Sequence, residues 1–317
     1  YVRPEVQMPE NCRFEEKEVQ DLVNTAWWEQ FNDPALKALV SEGLAQNRDV
    51  RIATARVEEF FGRYFSTRGD QFPFASAGAS ASRQQVSEVG AFGLAGLSNP
   101  YSQYEVNLGA SWEIDFWGKY RRASEAARAQ MLATEEARRN VVLTLVTAIA
   151  STYVDLRCLD KQLEITRQTA TSRKESLDLF NMRFARGITS ELDLSQIESQ
   201  YEDAMARIPD YESAIARTEN ALSILLGRNP GPIQRGLSLD QLALPPIPAG
   251  VPSDVLARRP DIRLAEQSLI AANASIGVAK SAYFPSISLT AAFGSVSTDL
   301  SDLFTGPAEV WSLAAPV

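Results

Sequence analysis

Paired carboxylates are the residues of this sequence that could carry out acid–base chemistry. Glu135 and Glu136 are adjacent, and Asp254 and Asp261 lie close together along the chain; two neighbouring carboxyl groups can serve as general acid and general base. The chain contains no histidine, so it lacks the commonest general base and the usual zinc ligand. The carboxylate pairs are better interpreted as solvated faces, helix caps or ion pairs. We predict that the protein is not an enzyme, and we assign it no catalytic residue, no cofactor and no metal site.

Two further residue types could form a site but lack the required spacing. Gly90, Gly93 and Gly96 could cradle a phosphate only between a strand and the N-terminus of a helix, and no helical pattern follows them. Cys12 and Cys158 are too few for a disulfide scaffold and lack the spacing of metal ligands. Neither set predicts a binding site.

Trp27 and Trp28 could form a flat ligand platform, or they could pack against a short helix. The sequence favours packing, because a helix is expected to begin at Asp33-Pro34, where proline suits the first helical position. Large aromatic side chains next to such a helix bury much apolar surface. We therefore interpret the two tryptophans as core residues.

The charge balance argues against a nucleic-acid partner. The 317 residues include 31 Lys and Arg against 40 Asp and Glu, which gives a net charge of −9. Nucleic-acid binding requires clustered basic side chains, and no such block occurs. The hydrophobic content of 45% is typical of a folded chain of one large or two ordinary domains.

The longest predicted element is a helix that follows Gly118. No glycine or proline occurs in the 68 residues between Gly118 and Gly187, and a helix of this length extends roughly 100 Å at about 1.5 Å per residue. Its most apolar part, residues 141–154, is shorter than the roughly 20 residues that a membrane-spanning helix needs, so we expect no helix to cross a membrane. A stripe recurs every seven residues in the second half: Val142, Ile149, Leu156, Leu163, Ala170, Leu177 and Phe184.

A second helical pattern follows Gly187 and predicts an antiparallel helical hairpin. The turn supplies a glycine for a left-handed helix end and a hydroxyl, from Thr189 or Ser190, for the cap of the return helix. Pro209 should bend that helix or remove one of its backbone hydrogen bonds. Its apolar positions alternate spacings of three and four, the period of a left-handed coiled coil: Leu194, Ile197, Tyr201, Ala204, Ile208, Tyr211, Ile215, Thr218, Leu222 and Leu225.

Strand patterns precede the long helix. Residues 104–116 alternate apolar and polar side chains, and residues 74–84 alternate alanine with small polar residues. Strands of about ten residues with one apolar face are typical of transmembrane β-barrels, although a soluble sandwich fits the same pattern. The predicted lipid-facing side chains are Val106, Leu108, Ala110, Trp112, Ile114 and Phe116.

An internal repeat relates the two ends of the chain. The motif at residues 47–53 recurs at residues 259–265, and Phe72-Pro73 recurs as Phe284-Pro285, both 212 positions later. A helix of about 22 residues that runs into a strand therefore occurs twice. We predict four segments: an extended segment with a short helix (1–46); a first repeat (47–226) with a β-hairpin at about 72–116 and a helical hairpin at about 119–226; a Pro-rich linker (227–259); and an incomplete second repeat (260–317) with a strand at about 284–294 and the start of another.

These motifs, taken in order, resemble the outer membrane factor family, the TolC- and OprM-like exit ducts of bacteria. The resemblance rests on the segment from Trp27 to Leu36, on the turn from Arg183 to Leu194, and on Arg258-Arg259-Pro260-Asp261-Ile262 with the Phe-Pro-Ser-Ile-Ser stretch at residues 284–288. Residues 1–4 resemble the segment after the lipidated cysteine of the family's lipoprotein branch. This implies an outer-membrane protein with a long periplasmic extension and a lipid anchor upstream of Tyr1.

The resemblance implies a mainly α-helical fold with a transmembrane β part, in which a long antiparallel coiled-coil hairpin forms a tunnel. Each protomer of a homotrimer would give four strands to one twelve-stranded barrel in outer-membrane lipid. The tip of the hairpin would contact a periplasmic adapter (membrane fusion) protein, which links the duct to an inner-membrane pump of the resistance-nodulation-division type. The family's gate residues would lie beyond Val317. The implied tip residues are Arg186, Gly187, Thr189, Ser190, Glu191 and Asp193.

We therefore expect a passive channel subunit of a tripartite efflux or secretion system, whose cargo of drugs, metal ions, solvents or proteins is left open. The net negative charge suggests a cation preference in the lumen. Two alternatives remain: a periplasmic adapter, which predicts no apolar outward strand face, and a soluble coiled-coil structural protein, which leaves the repeated helix-to-strand unit unexplained.

Overall fold

The computed structural model of the chain describes residues 27–87, 99–243 and 258–316. These residues divide into two compact units. One lies within Val57–Thr134 and Leu264–Val317, and the other lies within Pro4–Arg56 and Glu135–Arg263. The four segments predicted from the sequence are a different division and stay predictions.

Five long or medium helices account for most of the described chain. Helix α1 (Pro34–Gln46) begins at Asp33, whose Oδ1 accepts a hydrogen bond of 2.8 Å from the Ala35 N–H. The remaining bounds are α2 (Arg48–Gly69), α3 (Lys119–Ala185), α4 (Glu191–Leu225) and α5 (Pro260–Ser281).

Helix α3 confirms the prediction made from the absence of glycine and proline, because it continues for 67 residues between Gly118 and Gly187. Helix α4 continues through Pro209 without a break, as a helix can when a single backbone hydrogen bond is lost. All ten apolar positions predicted for α4 are buried or half-buried, while most positions between them are exposed. On α3 the predicted stripe is buried at Ile149, Leu156 and Ala170, but Phe184 near the helix end is exposed.

Polar contacts link α3 and α4 in an antiparallel sense. Arg167 forms an ion pair of 2.7 Å with Glu212, and Arg173 donates a hydrogen bond to Gln200. Within each pair, the residue on α3 and the residue on α4 are separated from Gly187 by similar numbers of residues, as in a helical hairpin. These contacts confirm the predicted pairing of the two helices.

The unit that contains α1, α4 and the part of α3 from Glu135 onwards has its core around the middle of α3. Its buried side chains come from α1, α3, the end of α4 and the segment after α4: Ala35, Leu36, Leu39, Val40, Leu145, Val146, Ile149, Ala150, Tyr153, Leu156, Leu222, Leu226 and Ile233. Trp27 and Trp28, in a short 3₁₀ helix (Trp27–Phe31), pack against this core. Their interpretation as packing residues is therefore confirmed.

One expectation about α3 needs correction. By length and composition, α3 includes a stretch apolar enough to be a candidate membrane span, whereas the sequence was expected to contain none. The apolar residues 145–156 face α1 and the end of α4 in the core. Burial against protein accounts for the apolar character of the core residues in this range, whereas only 33% of the candidate span is buried within the chain.

The unit within Val57–Thr134 and Leu264–Val317 contains a four-stranded antiparallel sheet with the order β1-β2-β3-β4. Its strands are β1 (Phe74–Gln84), β2 (Tyr101–Glu113), β3 (Ser288–Ser297) and β4 (Glu309–Ala314). The first hairpin therefore pairs with the second through β2 and β3, although 174 residues of chain separate them. Residues 88–98, in the connection between β1 and β2, lie outside the described residues.

Two strand boundaries differ from the sequence expectations. Strand β2 ends at Glu113, so Ile114 and Phe116 lie beyond it, although the Ile114 N–H still donates to the carbonyl of Ile287 at 2.9 Å. The strand ends here because Asp115 caps α3, with its carboxylate accepting from the N–H groups of Tyr120 (3.1 Å) and Arg121 (2.8 Å). The strand expected at about 284–294 begins four residues later, at Ser288.

Candidate functional site: a two-faced sheet and a helical turn

The register of the sheet sorts its side chains into an apolar and a polar face. Ala77, Leu108, Phe293 and Trp311 are cross-strand neighbours in one row across all four strands. Because successive side chains of a strand point to opposite faces, every second residue belongs to the same face. The apolar members of this face are Ala75, Ala77, Ala79, Ala81, Tyr104, Val106, Leu108, Ala110, Trp112, Leu289, Ala291, Phe293, Trp311 and Leu313.

The apolar face is exposed in the protomer. Leu108 is 56% exposed, Phe293 53%, Trp311 70% and Leu313 74%. From Tyr104 to Trp112 the face extends about 27 Å along the strand at roughly 3.4 Å per residue. At a strand tilt of about 40° this is a height of about 21 Å, comparable to the apolar band of an outer-membrane barrel, which is about 25 Å tall. Its polar and charged members, among them Arg83 and Glu309, are gathered at the end where β1 stops. Four of the six predicted lipid-facing residues lie in the strand part of this face, while Ile114 and Phe116 continue beyond it.

The opposite face is covered by small and polar side chains. They are Ser76, Gly78, Ser80, Ser82, Gln84, Gln103, Glu105, Asn107, Gly109, Ser111, Glu113, Ser288, Thr290, Gly294 and Ser312. Phe74, Tyr101, Ala292, Val296, Val310 and Ala314 complete this polar face. A sheet with one apolar and one hydrophilic face can separate lipid from a water-filled space.

Aromatic side chains lie beside the strand ends nearest α3. Trp117 stacks on Phe284 with ring centroids 4.4 Å apart, and its indole N–H donates to the carbonyl of Pro285 at 2.9 Å. The Trp112 indole donates to the carbonyl of Gln71 at 3.1 Å. The Trp117 contacts hold the connection from β2 to α3 against the segment that leads into β3, and the Trp112 contact holds β2 against the segment that leads into β1.

The turn between α3 and α4 ends one helix and begins the next within a few residues. Gly187 has φ +73°, and the N–H groups of Gly187 and Ile188 donate to the carbonyls of Phe184 (2.8 Å) and Arg183 (2.9 Å). This is the Schellman arrangement of a helix C-terminus, as the sequence predicts from the glycine.

Ser190, rather than Thr189, is the N-cap of α4. Its Oγ accepts from the N–H of Asp193 at 3.2 Å, and Oδ2 of Asp193 accepts from the Ser190 hydroxyl (2.7 Å), the Ser190 N–H (3.3 Å) and the Thr189 hydroxyl (3.2 Å). The hydrogen bond from the Ser190 side chain, with those from the Ser190 backbone and the Thr189 hydroxyl, lowers the pKa of Asp193. The ionised carboxylate of Asp193 therefore stabilises the turn.

The surface of the turn includes apolar residues that the sequence analysis missed. Ile188 is 70% exposed and Leu192 is 68% exposed, and both lie among the predicted tip residues Arg186, Gly187, Thr189, Ser190, Glu191 and Asp193. Single exposed apolar side chains are common on protein surfaces, whereas apolar side chains grouped together mark interaction sites. Their exposure could have been anticipated, since no core pattern includes positions 188 and 192.

A polar network ties the segment after α4 to the middle of α3. The hydroxyl of buried Tyr153 donates to Oδ2 of Asp33 at 2.8 Å and accepts from the Gly236 N–H at 3.0 Å. Burial, followed by the hydrogen bond to Asp33, raises the pKa of Tyr153 to about 12. Arg235 forms an ion pair of 3.1 Å with Asp160 and a second with Glu219. This network is structural, because it links elements of the core.

Of the residues first considered for catalysis, those that the structure describes are engaged in structural contacts: Glu135, Glu136 and Asp261, the last of which pairs with Arg259 at 2.6 Å. Glu135 pairs with Arg138 at 2.7 Å, and Glu136 pairs with Arg139 at 3.1 Å and Arg263 at 3.0 Å. Cys158 is a half-buried free thiol on α3. Asp254, Cys12 and the three spaced glycines lie outside the described residues. Within the residues described, no group of three or more acidic or cysteine side chains could hold a metal ion.

The profile of a known family matches most of the chain. Residues 39–228 and 251–316 match the outer membrane efflux protein family. The chain belongs to this family. The family is one of transport channels of the bacterial outer membrane, so the expectations of an outer-membrane location and of no enzymatic activity are confirmed. Membership also favours the channel over the periplasmic adapter and the soluble coiled-coil scaffold.

Individual relatives agree with the family. The probable efflux pump outer membrane protein TtgC of Pseudomonas putida is 39% identical over 288 residues, which cover 90% of this chain and 59% of the relative. The probable outer membrane lipoprotein SilC of Salmonella typhimurium is 34% identical over 317 residues, covering 98% of this chain and 67% of the relative. The crystal structure of CusC, whose Escherichia coli forms are named cation efflux system proteins, superposes with a TM-score of 0.86 at 33% identity, covering 100% of this chain and 71% of that one.

The chain therefore spans about three fifths of the length of TtgC. The mainly helical fold with a few antiparallel strands is shared with the outer-membrane channels of this family.

Proposed function

We propose that this protein is the outer-membrane channel subunit of a tripartite efflux system, a passive trimeric duct that carries cargo across the outer membrane. The observation that carries the proposal is the two-faced sheet, with its exposed apolar face and its opposite polar face. The apolar face would contact lipid, and the polar face would line a water-filled lumen.

The sheet edges support closure of the barrel by further copies of the protomer. Within the described residues, the outer edges of β1 and β4 pair with no other strand. A lipid environment does not tolerate unpaired amide and carbonyl groups, so both edges need partners in the membrane. The resemblance to the outer membrane factor family implies three copies, and joining β4 of one protomer to β1 of the next would then close a barrel of twelve strands.

The repeat prediction has support in matched elements. Helices α2 and α5 each have 22 residues and begin 212 positions apart, and each leads into a pair of strands. We infer that a helix-to-strand-pair unit occurs twice in the protomer and supplies the two hairpins of the sheet.

The turn between α3 and α4 is proposed to dock the periplasmic adapter. The polar residues Arg186, Thr189, Ser190, Glu191 and Asp193 surround the exposed Ile188 and Leu192. A rigid turn with a small apolar patch and a polar rim fits a second helical hairpin, as in other protein interfaces. The adapter would connect the duct to an inner-membrane pump of the resistance-nodulation-division type, which supplies the energy.

Neighbouring residues on opposite faces of β2 provide a matched test of the membrane-facing surface. Leu108→Lys places a charge on the proposed lipid face, where a basic side chain near the membrane centre costs about 2 to 4 kcal/mol. Asn107→Lys places the same charge in the proposed lumen. We expect the first variant to reduce the amount of detergent-extracted trimer from outer-membrane fractions, measured by light scattering, and the second to leave it near the wild-type level.

Equal yields of the two variants would contradict the assignment of the faces. A native protein that is monomeric, and that leaves the membrane fraction without detergent, would contradict the channel itself.

A further inference from the structure

The polar face of the sheet has a single carboxylate in its middle. Glu105 lies in the centre of β2, while Glu113, the other carboxylate of this face, ends the strand and pairs with Lys119 at 2.9 Å. Among the strand residues that the structure describes, no lysine or arginine belongs to this face, since Arg83 lies on the opposite one.

The surroundings of Glu105 leave its charge open to the space above the sheet. Its cross-strand neighbours are Ser80 on β1 and Val296 on β3, neither of which carries a charge. The side chain of Asn107 donates a hydrogen bond of 2.8 Å to Oε1 of Glu105, which orients the carboxylate without neutralising it. Gly78, directly across from Asn107, has no side chain, and the uncharged Asn107 side chain lies over it.

We propose that Glu105 is the residue of the barrel that determines its preference for cations over anions. The inference rests on the proposed function, because only a closed trimer brings three copies of Glu105 around one lumen. A twelve-stranded barrel with strands about 4.8 Å apart and tilted by about 40° has a radius of about 12 Å. Three carboxylates at this distance act on the whole cross-section of the lumen when the Debye length is about 30 Å, at about 0.01 M salt, and on almost none of it at about 3 Å, at about 1 M salt.

The test measures the reversal potential of the native protein in planar lipid bilayers under a potassium chloride gradient. Glu105→Gln removes the charge but keeps an oxygen that accepts the Asn107 hydrogen bond. We expect this variant to lower the ratio of cation to anion permeability by about threefold or more near 0.01 M salt, and to match the wild type near 1 M. Glu105→Lys should make the barrel prefer anions at low salt.

Glu309→Gln is the matched control, because it removes one carboxylate per protomer from the apolar face of the same sheet. It should leave the permeability ratio at the wild-type value. A conducting Glu105→Gln channel with unchanged selectivity at low salt would overturn the inference alone, and so would an equal effect of Glu309→Gln. A wild-type protein that forms no conducting trimer would overturn the proposed function together with the inference.

Discussion

At the scale of single residues, the hydroxyl of Tyr153 makes a long-range connection within the core. It joins the N-cap of α1 to the segment after α4 through Asp33 and Gly236. Because the pKa of Tyr153 is raised to about 12 from its ordinary value of 10.0, folding favours the neutral hydroxyl. The stabilisation is therefore complete below about pH 10 and is lost as the pH rises towards about 12.

Tyr153→Phe should lower the free energy of unfolding by about 1 to 3 kcal/mol, because the buried Asp33 carboxylate loses a donor. It should also remove part of the fall in the thermal midpoint between about pH 10 and 12. Thermal unfolding followed by circular dichroism, as a function of pH, measures both effects. Tyr201→Phe, at a half-buried position of α4, is the control. Identical alkaline profiles for the wild type and Tyr153→Phe would contradict this account.

Sequence reasoning reached only part of this network. It predicted the start of α1 at Asp33-Pro34, because the signals for a helix start are local. It did not predict the bond between Asp33 and Tyr153, since their separation of 120 residues leaves no trace in spacing or composition.

At the scale of elements, α3 and α4 end in the same way but in different surroundings. Gly187 and Gly227 have φ values of +73° and +76°, and each forms the Schellman arrangement. A Cβ on Gly187 would meet no atom within 4 Å, whereas a Cβ on Gly227 would lie 2.5 Å from the backbone oxygen of Gln46. A residue with a Cβ would therefore pay the cost of a left-handed conformation at either position, but it would clash with neighbouring backbone only at Gly227.

Gly187→Ala should cost about 1 kcal/mol, the usual penalty of a left-handed conformation for a residue with a Cβ. Gly227→Ala should cost clearly more, because the clash is with backbone that cannot move aside. Thermal denaturation of the two variants against the wild type measures the difference. Equal destabilisation would mean that packing of α1 against the end of α4 does not constrain Gly227.

The elements were predictable to the extent that their signals are local. The glycine-free run gave α3 and the alternating apolar spacings gave the buried stripe of α4. The end of β2 was placed too late, because the alternation of side chains continues to Phe116 while the cap formed by Asp115 already belongs to α3. A periodic pattern cannot detect such a competition between two elements.

At the scale of the whole molecule, the proposed docking surface can be tested against an equally exposed residue of the same helix. Ile188→Asp with Leu192→Asp should abolish cross-linking of the native trimer to its adapter, while the trimer itself is retained. Ile224→Asp removes a similarly exposed isoleucine, 69% accessible, at the other end of α4, and should leave cross-linking unchanged. Loss of cross-linking in both cases, or in neither, would contradict the assignment of the tip.

The pairing of β2 with β3 shows what sequence analysis could not supply at this scale. Alternation predicted which residues share a face of each strand, and the repeat predicted two similar hairpins. The register that places Leu108 beside Phe293 depends on a contact between distant parts of the chain. Only the folded sheet therefore shows that the apolar sides of both hairpins form one surface.

The unpaired edges of β1 and β4 also have a genetic consequence. If each edge is completed by another copy of the protein, then an intact duct requires three sound subunits. In a cell that makes both wild-type copies and copies whose β4 cannot pair, the fraction of trimers with three wild-type subunits equals the cube of the wild-type fraction of the protein. An allele that damages β4 would behave as dominant, whereas an allele that abolishes expression would be recessive.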